Sequence, residues 1–171
     1  MKLIVPTMEY DREIQDFRRE FLEAGSSADG CGSLRRFENI ADWLADLERY
    51  RSPDSLPEGR VQAIQYLYVR EDGRVVGMLQ LRPRPNEYVA QYAGHIGYSI
   101  RPSERGKGLA TQMLHDALAL CPAFGLYRVL VCCKVDNNAS RRVILKNGGI
   151  YDKTVTEPRQ GVSLERYWIW L

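Results

Sequence analysis

Two histidines and four cysteines among 171 residues leave little material for a metal centre or a disulfide framework. Cys31, Cys121, Cys132 and Cys133 follow no metal-ligand spacing. Cys132 and Cys133 are adjacent in an apolar run, so in a strand their side chains leave on opposite faces and cannot easily pair. Most of these thiols read as small buried hydrophobes, and no metal is expected. A surplus of one charge is also missing. Lys and Arg number 24 against 22 Asp and Glu, a formal net charge of +2, too small to argue for nucleic acid or an anionic membrane. No apolar run approaches the ~20 residues of a membrane span, and the first residues lack a basic-then-apolar signal pattern. The expected compartment is the cytoplasm, with no membrane and no nucleic acid as partner. Internal repeats and low-complexity tracts are absent too.

What is present suits one domain, residues 1–171, with a sizeable core: 44% hydrophobic and 27% charged residues are ordinary for a soluble chain of this length. Lys2 to Val5 reads as a short strand ended by Pro6. Tyr10, Ile14, Phe17 and Phe21 keep helical spacing, as do Ile40, Trp43, Leu44 and Leu47. Between them, Ser26 to Ser33 is rich in Gly and Ser and predicts a mobile loop; Arg51 to Gly59 is a second loop. Val61 to Val69 is apolar on both faces, as in a central strand. Asp72-Gly73 signals a hairpin to Val75–Leu81, which Pro83 and Pro85 end. Gly94 to Ile100 and Leu126 to Cys133 are further strands on either side of a helix that starts near Leu109. A short helix near Asn138 to Lys146 and a closing pair, Ile150–Thr156 with Val162–Trp170, complete the chain. A strand–helix–strand unit implies one parallel pair by a right-handed crossover. The fold class is therefore α/β, a mixed sheet with much antiparallel pairing, flanked by helices. The aromatic C-terminal strand is a candidate edge that a second copy could extend into a homodimer.

The most informative segment runs from Ser99 to Thr111. It passes from an apolar strand through a proline turn into glycines that open an amphipathic helix. Leu109, Ala110, Met113, Leu114, Ala117 and Leu118 form that helix's apolar face. A helix N-terminus carries unpaired N–H groups and partial positive charge, and glycines let a ligand come close. Arg105 and Lys107 add charge. The segment predicts a site for a phosphorylated cofactor; the other reading is a charged turn before an ordinary surface helix. Two familiar phosphate loops are excluded. A Walker loop needs glycine where Arg101 stands and Ser or Thr where Gly108 stands, and the dinucleotide fingerprint needs glycine in place of Thr111.

Arg105-Gly106-Lys107-Gly108-Leu109-Ala110 resembles the acyl-CoA pyrophosphate loop of the GNAT superfamily of N-acyltransferases, Q/R-x-x-G-x-G/A. Asp136-Asn137-Asn138-Ala139-Ser140, followed by Lys146-Asn147-Gly148-Gly149, resembles the superfamily's later block, where Asn opens a short helix and glycine ends it. Gly94-His95-Ile96-Gly97-Tyr98, with the Ser99 to Arg105 stretch after it, is similar to bacterial acetyltransferases of unassigned substrate. The resemblance covers about positions 60 to 171. It implies a GNAT-like fold in which the central strands splay and acetyl-CoA enters the gap.

The implied reaction is transfer of an acetyl group from acetyl-CoA to a primary amine by direct attack in a ternary complex. The amine belongs to a small molecule, a peptide or a protein terminus. A thioester is already activated, so alignment contributes most, with a donor for the developing oxyanion. By resemblance, backbone N–H groups of Gly106, Lys107, Gly108, Leu109, Ala110 and Thr111 hold the pyrophosphate, flanked by Arg105 and Lys107. The main chain of Ile100 and Arg101 pairs with the pantetheine arm, and an N–H near Ser99 or Ile100 polarises the thioester. Asn137 and Ser140 contact the same arm, or cap a helix. His95 lies where relatives place a glutamate near the acceptor amine and is the candidate general base; as a lone strand histidine its other reading is a satisfied core group. Glu87 is the second candidate. The family's leaving-group tyrosine is replaced by Ile144, so no acid is assigned. Tyr98, Tyr151, Trp168 and Trp170 either pack the core or line the acceptor cleft. The missing tyrosine keeps a second function open, a non-catalytic sensor or interaction module that binds acyl-CoA without turnover.

Overall fold

The structure, a computed structural model, describes residues 1–171. Strand β1 (Lys2–Ile4) leads into helices α1 (Asp11–Glu23) and α2 (Ile40–Arg51), then the hairpin β2 (Ile64–Val69) and β3 (Val75–Leu81). Helix α3 (Glu87–Tyr92), β4 (Ile96–Ile100), α4 (Leu109–Leu118), β5 (Arg128–Lys134), α5 (Asn138–Lys146), β6 (Ile150–Glu157) and β7 (Val162–Trp170) follow. All seven strands share one sheet in the order β1-β2-β3-β4-β5-β7-β6, antiparallel except where β4 meets β5. The expected mixed, mostly antiparallel α/β architecture is what forms.

Two apolar layers sandwich the sheet. On one face Ile14, Phe17 and Phe21 of α1 and Ile40, Trp43 and Leu47 of α2 pack on Leu67, Val69, Val75 and Met78. The helical spacing puts each triad on one side, and Asn39 starts α2 by accepting from the Ala41 N–H. A bulge opposite Tyr68 and Val69 lets Val75 and Met78, three residues apart, face the same way. On the other face Met113, Leu114, Ala117 and Leu118 of α4 and Ile144 of α5 cover Tyr68, Leu79, Ile96, Val129 and Val131. No helix is long and apolar enough to cross a membrane.

Two expectations need correction, and one element carried no signal: the stretch after Pro83 and Pro85 contains α3, which Asn86 caps by accepting from the Val89 N–H at 2.9 Å. β7 is not an edge: it inserts between β5 and β6 and is paired on both sides, so β6 and β1 are the edges. The Ser26 to Ser33 segment is a loop but a fastened one. Trp43 Nε1 donates to the Gly32 carbonyl at 2.9 Å, Gln65 Nε2 to the Gly30 carbonyl at 2.8 Å, and Ser99 Oγ to the Asp29 carbonyl at 2.7 Å.

Candidate functional site

β4 and β5 run parallel in register only at Ile96 and Val131, with an isolated bridge from Gly94 to Val131. Beyond that point the two strands part, and the gap opens into a cleft of about 770 Å³, a size typical of small-molecule sites. The parting leaves one edge of β4 without a strand partner. The Arg101 N–H donates to Val76 of β3 at 2.9 Å. Main-chain groups alternate between the two edges of a strand, so the Tyr98 and Ile100 N–H groups turn toward the gap.

The mouth of the gap is the start of α4. Gly106 and Gly108 have φ of 79° and 78°, and a Cβ at either would meet nothing within 4 Å. Glycine is required there by backbone conformation, not by crowding. Gly108 is the N-cap of α4 and offers no side chain to the helix's first turn. The N–H groups of Gly106, Lys107, Gly108, Leu109 and Ala110 consequently find no acceptor within the protein, whereas Thr111 donates to the Gly108 carbonyl at 3.0 Å. The run of free donors therefore ends one residue earlier than expected. A helix end left open in this way binds anions.

The side chains around this loop divide into braces and open groups. Arg105 lines the cleft; its Nε donates to the Ile100 carbonyl at 3.1 Å, its Nη1 to Ser26 Oγ at 3.0 Å, and it stacks over Phe21. Lys107 is not among the residues that line the cleft, and Glu104 holds its ammonium group at 2.8 Å. Glu104 is buried and also meets Arg74 at 3.1 Å and Arg70 at 3.5 Å. The Lys107 hydrogen bond, with the two guanidiniums, holds its carboxyl below the usual range. Arg142 and Lys146, one turn apart on α5, line the cleft with no carboxylate at ion-pair distance, while Arg141, just before them, is bound to Glu165 at 2.7 Å. Asn147 Nδ2 donates to the Thr111 carbonyl at 3.1 Å and holds this end of α5 against α4. The i, i+4 basic pair was readable in the sequence; its direction was not, because that depends on how α5 seats on α4.

Not every expected site residue reaches the cleft. Ile100 lines it. Arg101 does not: its side chain is buried beneath α1, where it meets Glu13 at 3.4 Å, Glu20 at 3.6 Å and the Glu13 carbonyl at 2.9 Å, and its N–H points to β3. Asn137 lines the cleft with its side-chain oxygen engaged, accepting from the Ser140 N–H at 3.0 Å as the cap of α5. Ser140 also lines it, and its Oγ shares a hydrogen bond of 2.9 Å with the Tyr98 hydroxyl across the gap. Burial raises the Tyr98 phenol, which stays protonated. Ile144 is fully buried in the core. Tyr151 is exposed on edge strand β6, and Trp168 and Trp170 pack with Arg128, so of these four aromatics Tyr98 alone faces the cleft.

His95 is corrected in the same way. Its main-chain N–H donates to the Leu130 carbonyl at 2.8 Å, and its Nδ1 accepts from the Leu130 N–H at 2.9 Å. A neutral imidazole has one acceptor nitrogen, and here a backbone donor occupies it. Burial also lowers the ring's pKa below its ordinary 6.5, with Arg128 and Arg82 adding repulsion. The ring is buried against Trp168 and lies outside the cleft lining. It clamps the closed end of the β4–β5 junction and is not placed to take a proton from an amine. Glu87, exposed at the start of α3, is outside the lining as well.

The far side of the cleft is built from the 26–33 loop, α3 and the β6–β7 turn. Gly30 approaches β4 so closely that a Cβ would stand 2.1 Å from the Gly97 carbonyl oxygen. Arg166 of β7 ties α3 down by donating to the Ala90 and Gln91 carbonyls at 3.2 and 3.0 Å. Glu157, buried at the end of β6, accepts from the Tyr88 hydroxyl at 2.6 Å and from the N–H groups of Arg159 and Gln160.

Comparison with known proteins agrees with this geometry. A family model described as the acetyltransferase (GNAT) family matches residues 31–148. No curated protein matches the chain. Among solved structures, ribosomal-protein-S5-alanine acetyltransferase from Vibrio fischeri superposes with a TM-score of 0.74 at 14% identity, over 98% of this chain and 91% of that one. A ribosomal L7/L12 α-N-protein acetyltransferase in complex with coenzyme A gives 0.73 at 15% identity, over 99% and 93%. A variant of spermidine N-acetyltransferase from Vibrio cholerae gives 0.66 at 12% identity, over 99% and 95%. At these identities the likeness is one of fold.

Proposed function

The chain belongs to the acetyltransferase (GNAT) family and is an acetyl-CoA-dependent N-acetyltransferase, and we propose how its own residues carry that reaction. The observation that carries the proposal is the uninterrupted run of unpaired N–H groups from Gly106 to Ala110 at the mouth of the β4–β5 gap. These donors take the pyrophosphate of acetyl-CoA, with Arg105, Arg142 and Lys146 supplying counter-charge. The pantetheine arm lies along the unpaired edge of β4 and pairs with main-chain groups of Ile100. The Tyr98 or Ile100 N–H then faces the thioester carbonyl, where a fixed donor stabilises the oxyanion. Ser140 and Tyr98 line the arm's path across the gap; Asn137 serves it by shaping the start of α5.

The acceptor amine enters from the side formed by the 26–33 loop, α3 and the β6–β7 turn, and attacks the thioester directly. No histidine stands ready for its proton, so the amine reacts as the free base and water carries the proton away. Both substrates meet within one domain, residues 1–171, working in the cytoplasm without a metal. Homodimer formation by sheet extension would use β6 or β1, since β7 has no free edge. Light scattering on the purified protein tests this.

The buried Ile144 at the family's tyrosine position favours a second reading, acyl-CoA binding without turnover. Release of free thiol from acetyl-CoA across an amine panel separates the two. Thiol release with any amine establishes transfer; tight CoA binding with release on none supports the sensor.

A further inference from the structure

The two buried arginines each face a carboxylate: Arg101 meets Glu13 and Glu20, and Arg166 meets Asp152. Arg82 does not. It follows β3 directly, lines the cleft and is partly buried. Its main-chain N–H donates to the His95 carbonyl at 2.7 Å, so its backbone is fixed to the start of β4. Its Nε donates to Gln80 Oε1 at 3.2 Å and its Nη1 to the Gly94 carbonyl at 3.2 Å. Both acceptors are neutral, and Nη2 has no acceptor in the protein. Nη2 lies over Gly97, where an added Cβ would come within 3.1 Å of it. Burial pushes this guanidinium's pKa down from 12.5, and the attraction of nearby Asp29, which makes no ion pair with it, does not offset the burial. Holding a cation this way is costly unless a partner arrives.

The partner is not the cofactor's diphosphate. Arg82 stands beside the first residues of β4, and the phosphate loop begins beyond the strand's other end. At about 3.3 Å per residue the strand alone separates them by more than ~10 Å. The acetyl-pantetheine end of the cofactor carries no charge. The acceptor is what remains. A planar fork with its outer nitrogen free matches a carboxylate. Asp29, exposed on the fastened loop, lines the same side and offers an ammonium group the opposite charge. We propose that the acceptor is a small zwitterionic amine, an amino acid or close analogue, whose carboxylate seats on Arg82 while its amino group points to the thioester. This rests on the acetyl-transfer reading of the cleft.

The test uses the full chain, Arg82→Gln and Arg82→Lys. Thiol release from acetyl-CoA is measured with amino acids and with their carboxamides, and CoA affinity is measured by calorimetry for all three proteins. The parent is expected to use the carboxylate-bearing member of at least one pair with a kcat/KM about 10- to 100-fold higher. Arg82→Gln erases that preference chiefly through KM, Arg82→Lys keeps part of it, and CoA affinity is unchanged in both. Equal use of both members, turnover confined to carboxamides, or no turnover of any carboxylate-bearing amine overturns the proposal. A Gln variant that loses activity equally on both, or loses CoA affinity, also overturns it, since Arg82 would then be structural. Failure of the parent to bind CoA instead removes the acetyl-transfer reading beneath it.

Discussion

At His95 the imidazole works as a hydrogen-bond acceptor for the backbone. Leaving the Leu130 N–H without that partner would cost about 1–3 kcal/mol. His95→Asn, whose side-chain oxygen can replace Nδ1, is therefore expected to keep most stability and turnover. His95→Leu is expected to lose about 1–3 kcal/mol in chemical denaturation while the chemical step survives in the remaining folded protein. A loss of turnover in His95→Asn with stability intact would restore the ring as a base. The pH dependence follows from the direction of its shift. Burial lowers the folded-state pKa below 6.5, so the ring's contribution to stability is full above that value and is lost as pH falls through the lowered one. The melting temperature should decline below about pH 6.5, and less so in His95→Asn. Turnover should instead rise with pH along the acceptor amine's own titration, and a break below 6.5 in kcat/KM that vanished in His95→Asn would contradict this. The resemblance put His95 near the acceptor amine, and the strand containing it was legible. Sequence could not show that a backbone partner 35 residues away fills Nδ1. Arg101 misled for the same reason: its strand was evident, and its burial against α1 depends on tertiary packing.

Helices and strands with a long apolar period were readable from residues alone, as the α1, α2 and α4 faces show. α3 was not, because its six residues after a proline-bearing turn carry too little periodicity. The loop from Ser26 to Ser33 was readable as a loop; its fastening was not, since Gln65 and Ser99, which hold it, lie far along the chain. Gly30 tests that fastening. Its φ is 72°, and an added Cβ would stand 2.1 Å from the Gly97 carbonyl oxygen. Gly30→Ala must lift the loop off β4, at a cost of roughly 1–3 kcal/mol in stability. Steady-state kinetics should show a raised KM for the acceptor, with a smaller effect on CoA affinity, since the loop reaches the phosphate site only through the Ser26–Arg105 hydrogen bond. Unaltered stability and KM would mean that the loop does not bound the acceptor site.

Over the whole molecule, the sheet is continuous except where β4 and β5 part, and the open start of α4 sits at that opening. The parallel pair was implied by the order of elements, but the parting and the insertion of β7 between β5 and β6 came from strand order, which local periodicity does not encode. The account depends on main-chain amides that the protein leaves unpaired in order to hold a diphosphate. Gly108→Asp tests it most directly. At φ 78° a side-chain-bearing residue is strained by roughly 1–2 kcal/mol, and a carboxylate at the helix N-terminus occupies and repels the anion site. Isothermal calorimetry with coenzyme A should give clear heat and saturation near one equivalent for the parent, and at least about 100-fold weaker binding for a still-folded Gly108→Asp. No binding by the parent, or a variant indistinguishable from it, would contradict the account.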